Sequence, residues 1–236
     1  MKIIAHRGAS ADLPENTIAS FLLAKKCGFT DFETDVQLTK DKVLVACHDY
    51  TLKRTAGADV KISELSLSEL KKFNVAAYFR KTCEKMSVPS LEEVFNCLGN
   101  EAKIYLEIKN KDNVYPDICV KLLEFIKNKN LPTDNICLSS FHYPTLVKIR
   151  DLNPDIKIGV LARYGQIDNL IEQSLEIKAA GINVYFKDAT AELINKAHSK
   201  ALKVLAYTIN EKEIAQKLRS LKIDGIFTDR VDLGFI

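Results

Sequence analysis

Residues 2–38 read KIIAHRGASADLPENTIASFLLAKKCGFTDFETDVQL. The opening KIIAH (2–6) is a short apolar run that ends in a histidine. NTIASFLLAKKCG (16–28) then places apolar residues at three- and four-residue spacing and closes on Gly28, which suits a helix C-cap. DFETDVQL (31–38) alternates like a strand. A strand, a helix and a second strand within 37 residues predict one parallel βαβ unit, so the sheet is expected to be parallel with its helices outside.

The same rhythm continues along the chain. KVLVACH (42–48) reads as a hairpin strand added after the second strand. Further strands are predicted at KIYLEIK (103–109), NICLSSF (135–141), KIGVLA (157–162), GINVYF (181–186), KVLAYTI (203–209) and DGIFTD (224–229). Between them lie helical patterns such as VYPDICVKLLEFIKNKN, YPTLVKIRDLN, IDNLIEQSLEIKAA, TAELINKAHSKA and EKEIAQKLRSLK. Without the hairpin strand there are eight strands, each after the first reached through a helix-rich segment. Eight such units in 236 residues suit a closed (β/α)₈ TIM barrel, and no G-x-G-x-x-G follows the first strand to favour a dinucleotide-binding sheet.

One segment breaks the pattern. From about 49 to 89 the chain carries polar turns and a short helix-like LSLSELKKF (65–73), read as a small insertion after the second strand that packs over one end of the barrel. PSLEEVFNCLG (89–99) resumes as the second barrel helix, with Ser90 as N-cap and Glu93 completing a capping box. The expectation is a single TIM-barrel domain over 1–236, carrying an inserted subdomain at about 49–89.

Bulk composition narrows the partners. The 34 basic and 31 acidic residues give a net charge of +3, too small and too evenly spread to call for nucleic acid. No apolar run approaches the roughly 20 residues of a membrane-spanning helix, so no stable membrane insertion is expected. Six cysteines, at 27, 47, 83, 97, 119 and 137, lack any CxxC spacing and read as reduced thiols of a cytoplasmic protein. MKIIAHRG has none of the marks of a secretory leader. A homodimer is left open.

The chemistry is concentrated at predicted strand ends. The first strand ends in His6 and Arg7, the second carries Glu33 and Asp35, its hairpin partner ends at His48–Asp49, and the third barrel strand carries Glu107 and Lys109. Residues two apart on a strand share a face, and the C-terminal strand ends of a parallel barrel open at one rim. Three carboxylates converging there repel one another unless a cation lies between them, and an all-oxygen set suits Mg²⁺ or Ca²⁺ rather than zinc. Two imidazoles, a guanidinium and an ammonium around that cation are the parts phosphate chemistry needs. Each piece alone has a plainer explanation, a solvated strand end or a simple ion pair; their coincidence at one rim is what points to a site. His142, after the fourth barrel strand, is a weak rim candidate, and His198 is expected on a helix surface.

AHRGASADLPENTIASF (5–21), FETDVQLTKDKVLVACHDYTLKRT (32–55), VPSLEEVF (88–95), YLEIK (105–109) and DGIFTD (224–229) resemble the signature blocks of the glycerophosphodiester phosphodiesterase family, from residue 3 to about 232. The resemblance implies a metal-dependent barrel enzyme that hydrolyses glycerophosphodiesters, such as glycerophosphocholine or glycerophosphoethanolamine, to sn-glycerol 3-phosphate and an alcohol. It assigns His6 and His48 as the acid/base pair, Glu33, Asp35 and Glu107 as ligands of one divalent metal ion, Mg²⁺ or Ca²⁺, Arg7 as the phosphate-binding arginine and Lys109 as the lysine near metal and phosphate. Tyr207 occupies a position that is often tryptophan in the family and bears on how the alcohol group packs; Lys42 stands where a hairpin glycine is common. Glu15 and Asn16, in the loop into the first helix, are expected to brace the rim. Family precedent makes the glycerol 2-hydroxyl the nucleophile; His6 is read as base and His48 as acid, an order the sequence by itself does not fix. A lysophospholipase D or phospholipase C-like enzyme would need an apolar lip that the polar insertion does not supply. A non-catalytic phosphometabolite-binding barrel would have no need of two imidazoles.

Overall fold

The computed structural model describes residues 1–79 and 84–235. Cys83, and the end of the polar stretch of the insertion at 80–81, lie outside the described residues. Among those described, eight parallel strands close into a barrel: β1 (Lys2–His6), β2 (Asp31–Leu38), β4 (Lys103–Ile108), β5 (Ile136–Ser140), β6 (Lys157–Ala162), β7 (Gly181–Tyr185), β8 (Lys203–Tyr207) and β9 (Gly225–Thr228). β1 pairs with both β2 and β9, which shuts the sheet on itself. β3 (Leu44–Ala46) runs antiparallel to β2 as the expected hairpin strand. Lys42, in its turn, adopts φ +62°, a left-handed conformation that costs a lysine more than a glycine. The outer helices are α1 (Ile18–Lys26), α4 (Leu91–Leu98), α5 (Ile118–Asn128), α6 (Tyr143–Leu152), α7 (Leu170–Glu176), α8 (Ala191–His198) and α9 (Lys212–Ser220). α1 ends at Cys27, and Gly28 follows at φ +87°.

Local chemistry starts several of these helices. The Ser90 hydroxyl accepts from the Glu93 amide while the Glu93 carboxylate accepts from the Ser90 amide, the reciprocal pair expected from the sequence. Thr17 and Ser20 do the same for α1, and such caps contribute about 1 kcal/mol each. The main core lies between barrel and helices, where Phe21, Phe32, Leu106, Leu122 and Ile149 are sealed from water.

The barrel interior is built in layers, because period two turns every second residue inward and alternate strands share a level. Lys2, Lys103, Lys157 and Lys203 form the lowest level. Asp31, Cys137, Gly181 and Gly225 come next, then Ile4, Tyr105, Gly159 and Leu205. Above them stand Glu33, Ser139, Asn183 and Phe227, and then His6, Glu107, Leu161 and Tyr207; the register pairs His6 with Glu33, Asp35 with Glu107 and Glu107 with Ser139. Ile4, Tyr105, Leu205 and Phe227 pack as a plug inside the barrel, separate from the outer core. The plug divides a lower cavity of about 290 Å³ from an upper one of about 330 Å³.

The segment after β3 contains α2 (Lys53–Ala56) and α3 (Leu67–Leu70), the latter only the middle of the helix expected over 65–73 and capped by Ser66 with Glu69. Most of its scattered apolar residues are turned inward, while Tyr78 and Phe79 are partly exposed and Tyr78 meets the rim at Glu15 and Arg54. Leu52, Ile62, Leu70 and Val75 are buried with Val45, Cys47 and Val88 in a small core of their own. Among the described residues no helix is long and apolar enough to cross a membrane. Cys27, Cys47, Cys97, Cys119 and Cys137 are free thiols.

Candidate active site

Each functional side chain reaches the C-terminal mouth because its strand ends there. On β2, Glu33 and Asp35 face inward two residues apart, and Glu107 enters from the neighbouring β4. One carboxylate oxygen from each lies within 4.8 Å of the others. Asp35 is fully buried, and Glu33 and Glu107 nearly so. Lys109 reaches back from the end of β4, its Nζ 2.6 Å from Glu107 Oε1 and 3.5 Å from Asp35 Oδ1.

Arg7 is aimed by a backbone turn. It takes φ +58°, and Gly8 follows at φ +80° with Ser20 so close that a β-carbon there would lie 2.5 Å from its Oγ; glycine is the residue that fits. The turn brings Arg7 Nε 3.1 Å from Asp35 Oδ2 and its Nη1 3.1 Å from Glu15 Oε1. The Arg7–Asp35 contact is an ion pair in distance but not a hydrogen bond, which leaves Arg7 Nε buried without a hydrogen-bond partner. Asp35 Oδ1, which faces Lys109 only as an ion pair, is likewise buried without one. Asn16 donates to Asp35 Oδ2 at 2.9 Å and accepts from Thr34, so Asn16 and Glu15 do brace this rim.

The electrostatics are strained in one direction. Burial and the neighbouring Asp35 charge push the Glu33 carboxyl well above the ordinary glutamate range. Burial also opposes the Asp35 charge, but Arg7, Lys109 and His48 outweigh it and hold that carboxyl below the usual range. Lys109 and Arg7 are likewise driven upward by the carboxylates despite burial. The three carboxylates thus share two cations imperfectly, and Asp35 Oδ1 has lone pairs unused. That donor set fits a hard divalent ion.

Both imidazoles are held the same way. His6 Nδ1 lies 2.6 Å from Asp229 Oδ1, and His48 Nδ1 lies 2.7 Å from Asp49 Oδ1. A carboxylate only accepts, so each Nδ1 carries the hydrogen and each Nε2 is left for other work. Asp229 is fixed by Ser10 and Asn210, and its carboxyl is brought down to about 2 by His6 against the opposing effect of burial. Asp49 is fixed by Arg54, whose guanidinium also grips both Glu15 oxygens. Gln37 holds the His48 loop by donating to the Cys47 and Asp49 carbonyls.

These groups open onto the 330 Å³ cavity, lined on one side by His6, Arg7, Glu33, His48 and Glu107. A family model described as the glycerophosphoryl diester phosphodiesterase family matches residues 6–233. The chain belongs to that family. A glycerophosphodiester phosphodiesterase from Caldanaerobacter subterraneus subsp. tengcongensis is 33% identical over 96% of this chain and 93% of its own. Among solved structures, a phosphodiesterase from Oleispira antarctica in complex with the product sn-glycerol-3-phosphate superimposes with a TM-score of 0.91 at 29% identity, covering 100% of this chain and 95% of that one. The glycerophosphodiester phosphodiesterase of Thermotoga maritima does so with a TM-score of 0.80 at 31% identity, covering 98% and 95%.

In this phosphodiesterase the opposite wall of the cavity is aromatic. Tyr207 stacks edge-on between Phe141 and Tyr185, at 5.9 and 6.1 Å, and its hydroxyl donates to the Ala162 carbonyl at 2.5 Å. Of the residues expected to act, His6, Arg7, Glu33, His48, Glu107 and Tyr207 line this cavity, and Asp35 and Lys109 pack against them. His142 does not line the cavity: it precedes α6 and its Nδ1 lies 2.8 Å from Thr145 Oγ1. His198 ends α8 and pairs with Asp224. Sequence reasoning named Asp49 beside His48 without giving it a role, and missed Asp229 behind His6 and the role of Arg54. Asp229 could have been found: it stands two residues beyond inward-facing Phe227, at the end of β9.

Proposed function

We propose that this phosphodiesterase hydrolyses water-soluble glycerophosphodiesters, such as glycerophosphocholine or glycerophosphoethanolamine, to sn-glycerol 3-phosphate and an alcohol. The observation that carries this reading is the convergence of two carboxylate-backed imidazoles, two buried cations and three carboxylates on one cavity. The product bound to the Oleispira antarctica relative supports glycerol 3-phosphate as the retained half. Glu33, Asp35 and Glu107 would hold a single Mg²⁺ or Ca²⁺, which when bound supplies Lewis-acid polarisation of a phosphoryl oxygen.

Arg7 and Lys109 offset the remaining phosphate charge and orient the diester. One imidazole takes the proton of the glycerol 2-hydroxyl through its free Nε2 as that oxygen bonds to phosphorus. The other imidazole donates a proton to the departing alcohol oxygen as its bond to phosphorus breaks. The two histidines exchange roles when water opens the resulting cyclic phosphate, which restores both to their starting state. Asp229 and Asp49 keep each ring in the tautomer this needs, and Tyr207 packs the organic part of the substrate against the aromatic wall. The mostly polar sequence of the insertion favours a headgroup diester over an acylated lipid.

The test is a panel of glycerophosphodiesters and their acylated counterparts, assayed after EDTA stripping and re-addition of Mg²⁺ or Ca²⁺, with glycerol 3-phosphate measured. Metal-restored release of glycerol 3-phosphate from the soluble diesters is expected; turnover that is indifferent to chelation, or confined to acylated substrates, overturns the reading.

A further inference from the structure

The level of the barrel beneath the histidines holds two polar side chains that the chemistry above does not use. Ser139 of β5 and Asn183 of β7 face inward at the same height as Glu33 and Phe227, and only 4% and 3% of their surfaces are exposed. Both line the upper cavity, and Asn183, at the boundary between the two, also borders the lower one. Among the described residues neither side chain has a hydrogen-bond partner, yet neither is among the sealed polar atoms, so their hydroxyl and amide groups are open and available to a ligand. Space has been made for the amide: a β-carbon on Gly159 would sit 3.2 Å from Asn183 Nδ2 and 3.4 Å from its Oδ1. Around them the floor and far wall are apolar, from Phe141, Leu161, Tyr207 and Phe227.

A carboxamide can donate and accept, and so can a hydroxyl. Two such neutral groups, set in an apolar wall opposite the cations, match neutral hydroxyls rather than a charged headgroup. They sit one level deeper than His6 and Glu107, at the closed end of the cavity, where the half shared by all substrates of the class must go while the variable alcohol leaves towards solvent. We propose that Asn183, assisted by Ser139, is the specificity determinant for glycerol, hydrogen-bonding its sn-1 hydroxyl group, the one on the terminal carbon remote from the phosphoester. This rests on the functional reading above. Sites that hydrogen-bond a substrate hydroxyl discriminate strongly against analogues lacking it, because the site's buried polar groups are then left unpaired.

The test pairs protein and substrate changes. Asn183→Leu keeps the shape and removes both hydrogen-bonding atoms; Ser139→Ala is a milder second variant. Each is assayed, beside wild type and with the same metal, on glycerophosphocholine, on its analogue lacking the terminal hydroxyl, and on bis(p-nitrophenyl) phosphate. Asn183→Leu is expected to lose about ten- to a hundred-fold in kcat/KM on glycerophosphocholine, to lose at most two- to three-fold on the deoxy analogue, and to match wild type on the p-nitrophenyl diester. Ser139→Ala follows the same pattern with a smaller loss. Inhibition by sn-glycerol 3-phosphate should weaken in Asn183→Leu while inhibition by inorganic phosphate stays constant. Equal losses on all three substrates, or no loss on glycerophosphocholine, overturn the assignment while leaving the functional reading intact. Wild type that cleaves the p-nitrophenyl diester but no glycerophosphodiester overturns that reading, and the assignment with it. Should Asn183→Leu fail to fold, Ser139→Ala decides by the same comparison.

Discussion

The two mouths of this barrel carry similar inventories and very different physics. The lower one opens on Lys2, Lys103, Lys157 and Lys203, with Asp134 and Asp224 among them and Asp31 paired to Lys2. The upper one opens on Arg7, Glu33, Glu107 and two histidines, with Asp35 and Lys109 packed directly behind them. At the lower mouth the charges are hydrated or matched: Lys2 donates to Asp31 and to the Tyr105 hydroxyl, Lys157 binds Asp134, and the remaining two lysines stand in solvent. At the upper mouth Asp35 is wholly buried, two charged atoms lack hydrogen bonds, and Glu33 is pushed towards its neutral form. Charge at strand ends is therefore no signature of a site by itself. Charge removed from water and left incompletely satisfied is, because only a ligand explains why the cost is tolerated.

The sharpest way to break the comparison is to neutralise the upper mouth. Asp35→Asn or Glu107→Gln should lower kcat by about a thousand-fold or more, the several kcal/mol a Lewis acid contributes to phosphoryl chemistry; steady-state assays at saturating metal would check it. Activity within ten-fold of wild type would mean that the carboxylates do not hold a working ion. His6→Ala and His48→Ala should each cost about 10²–10⁴ in kcat. Asp229→Asn and Asp49→Asn, which spare the ring nitrogens that face the cavity, should cost less, roughly 10–100-fold, as for other groups that orient a functional side chain. A histidine variant with wild-type turnover would remove the acid/base scheme.

Stability should report on the same frustration without any substrate. A divalent ion at about one hundred times its Kd stabilises the folded chain by about 2.7 kcal/mol, a rise in Tm of roughly 5–10 °C for a chain of this size. In the metal-free chain Glu33 has the opposite sign from an ordinary paired carboxylate. Its folded-state carboxyl titrates above its unfolded value near 4.3, so the folded state is favoured while Glu33 is protonated and loses ground as pH rises through that value towards the folded one. Glu33→Gln and wild type should therefore melt together below about pH 4, with the variant becoming the more stable as pH rises. Asp35, whose carboxyl is depressed, contributes stability that is lost as pH falls below about 4, but it does so in both proteins and cancels from the difference. A gap that is constant with pH would show that Glu33 is not desolvated as described.

How much of this was legible beforehand follows the same division. Strand identity and order could be read because apolar runs and turn residues repeat at regular spacing, and KIIAH, DFETDVQL, KIGVLA and the other strands lie where their patterns put them. The upper mouth was legible as a set because the two-residue period assigns Glu33 with Asp35, and Glu107 with Lys109, to single faces. What was not legible depends on contacts between remote segments. Asp229 lies 223 residues from His6, and Arg54 lies 39 residues from Glu15; neither pairing has a local signal. The apolar residues of the insertion looked scattered because Leu52, Ile62, Leu70 and Val75 come from turns and short helices with no shared period, and only the folded segment gathers them into one cluster. Four lysines at the lower mouth were equally visible in the sequence, each opening a strand, and nothing in their spacing distinguishes them from the functional set.

That last point supplies the mildest test, and the one that checks the comparison from its quiet side. Lys103 and Lys203 are exposed and have no ion-pair partner among the described residues, so their ammonium groups lose little by being replaced. Lys103→Gln with Lys203→Gln should leave kcat and KM within two-fold and stability within about 0.5 kcal/mol, the ordinary range for surface positions. The two cations of the upper mouth must behave otherwise. Lys109→Gln removes a comparable charge from beside Asp35 and Glu107, where little water is present to replace it, and both carboxylates are then left with less compensation. If the double change at the lower mouth were as damaging as the single change at the upper one, burial would not be what separates a site from a surface here, and the electrostatic reading of the barrel would have to be redrawn around net charge instead.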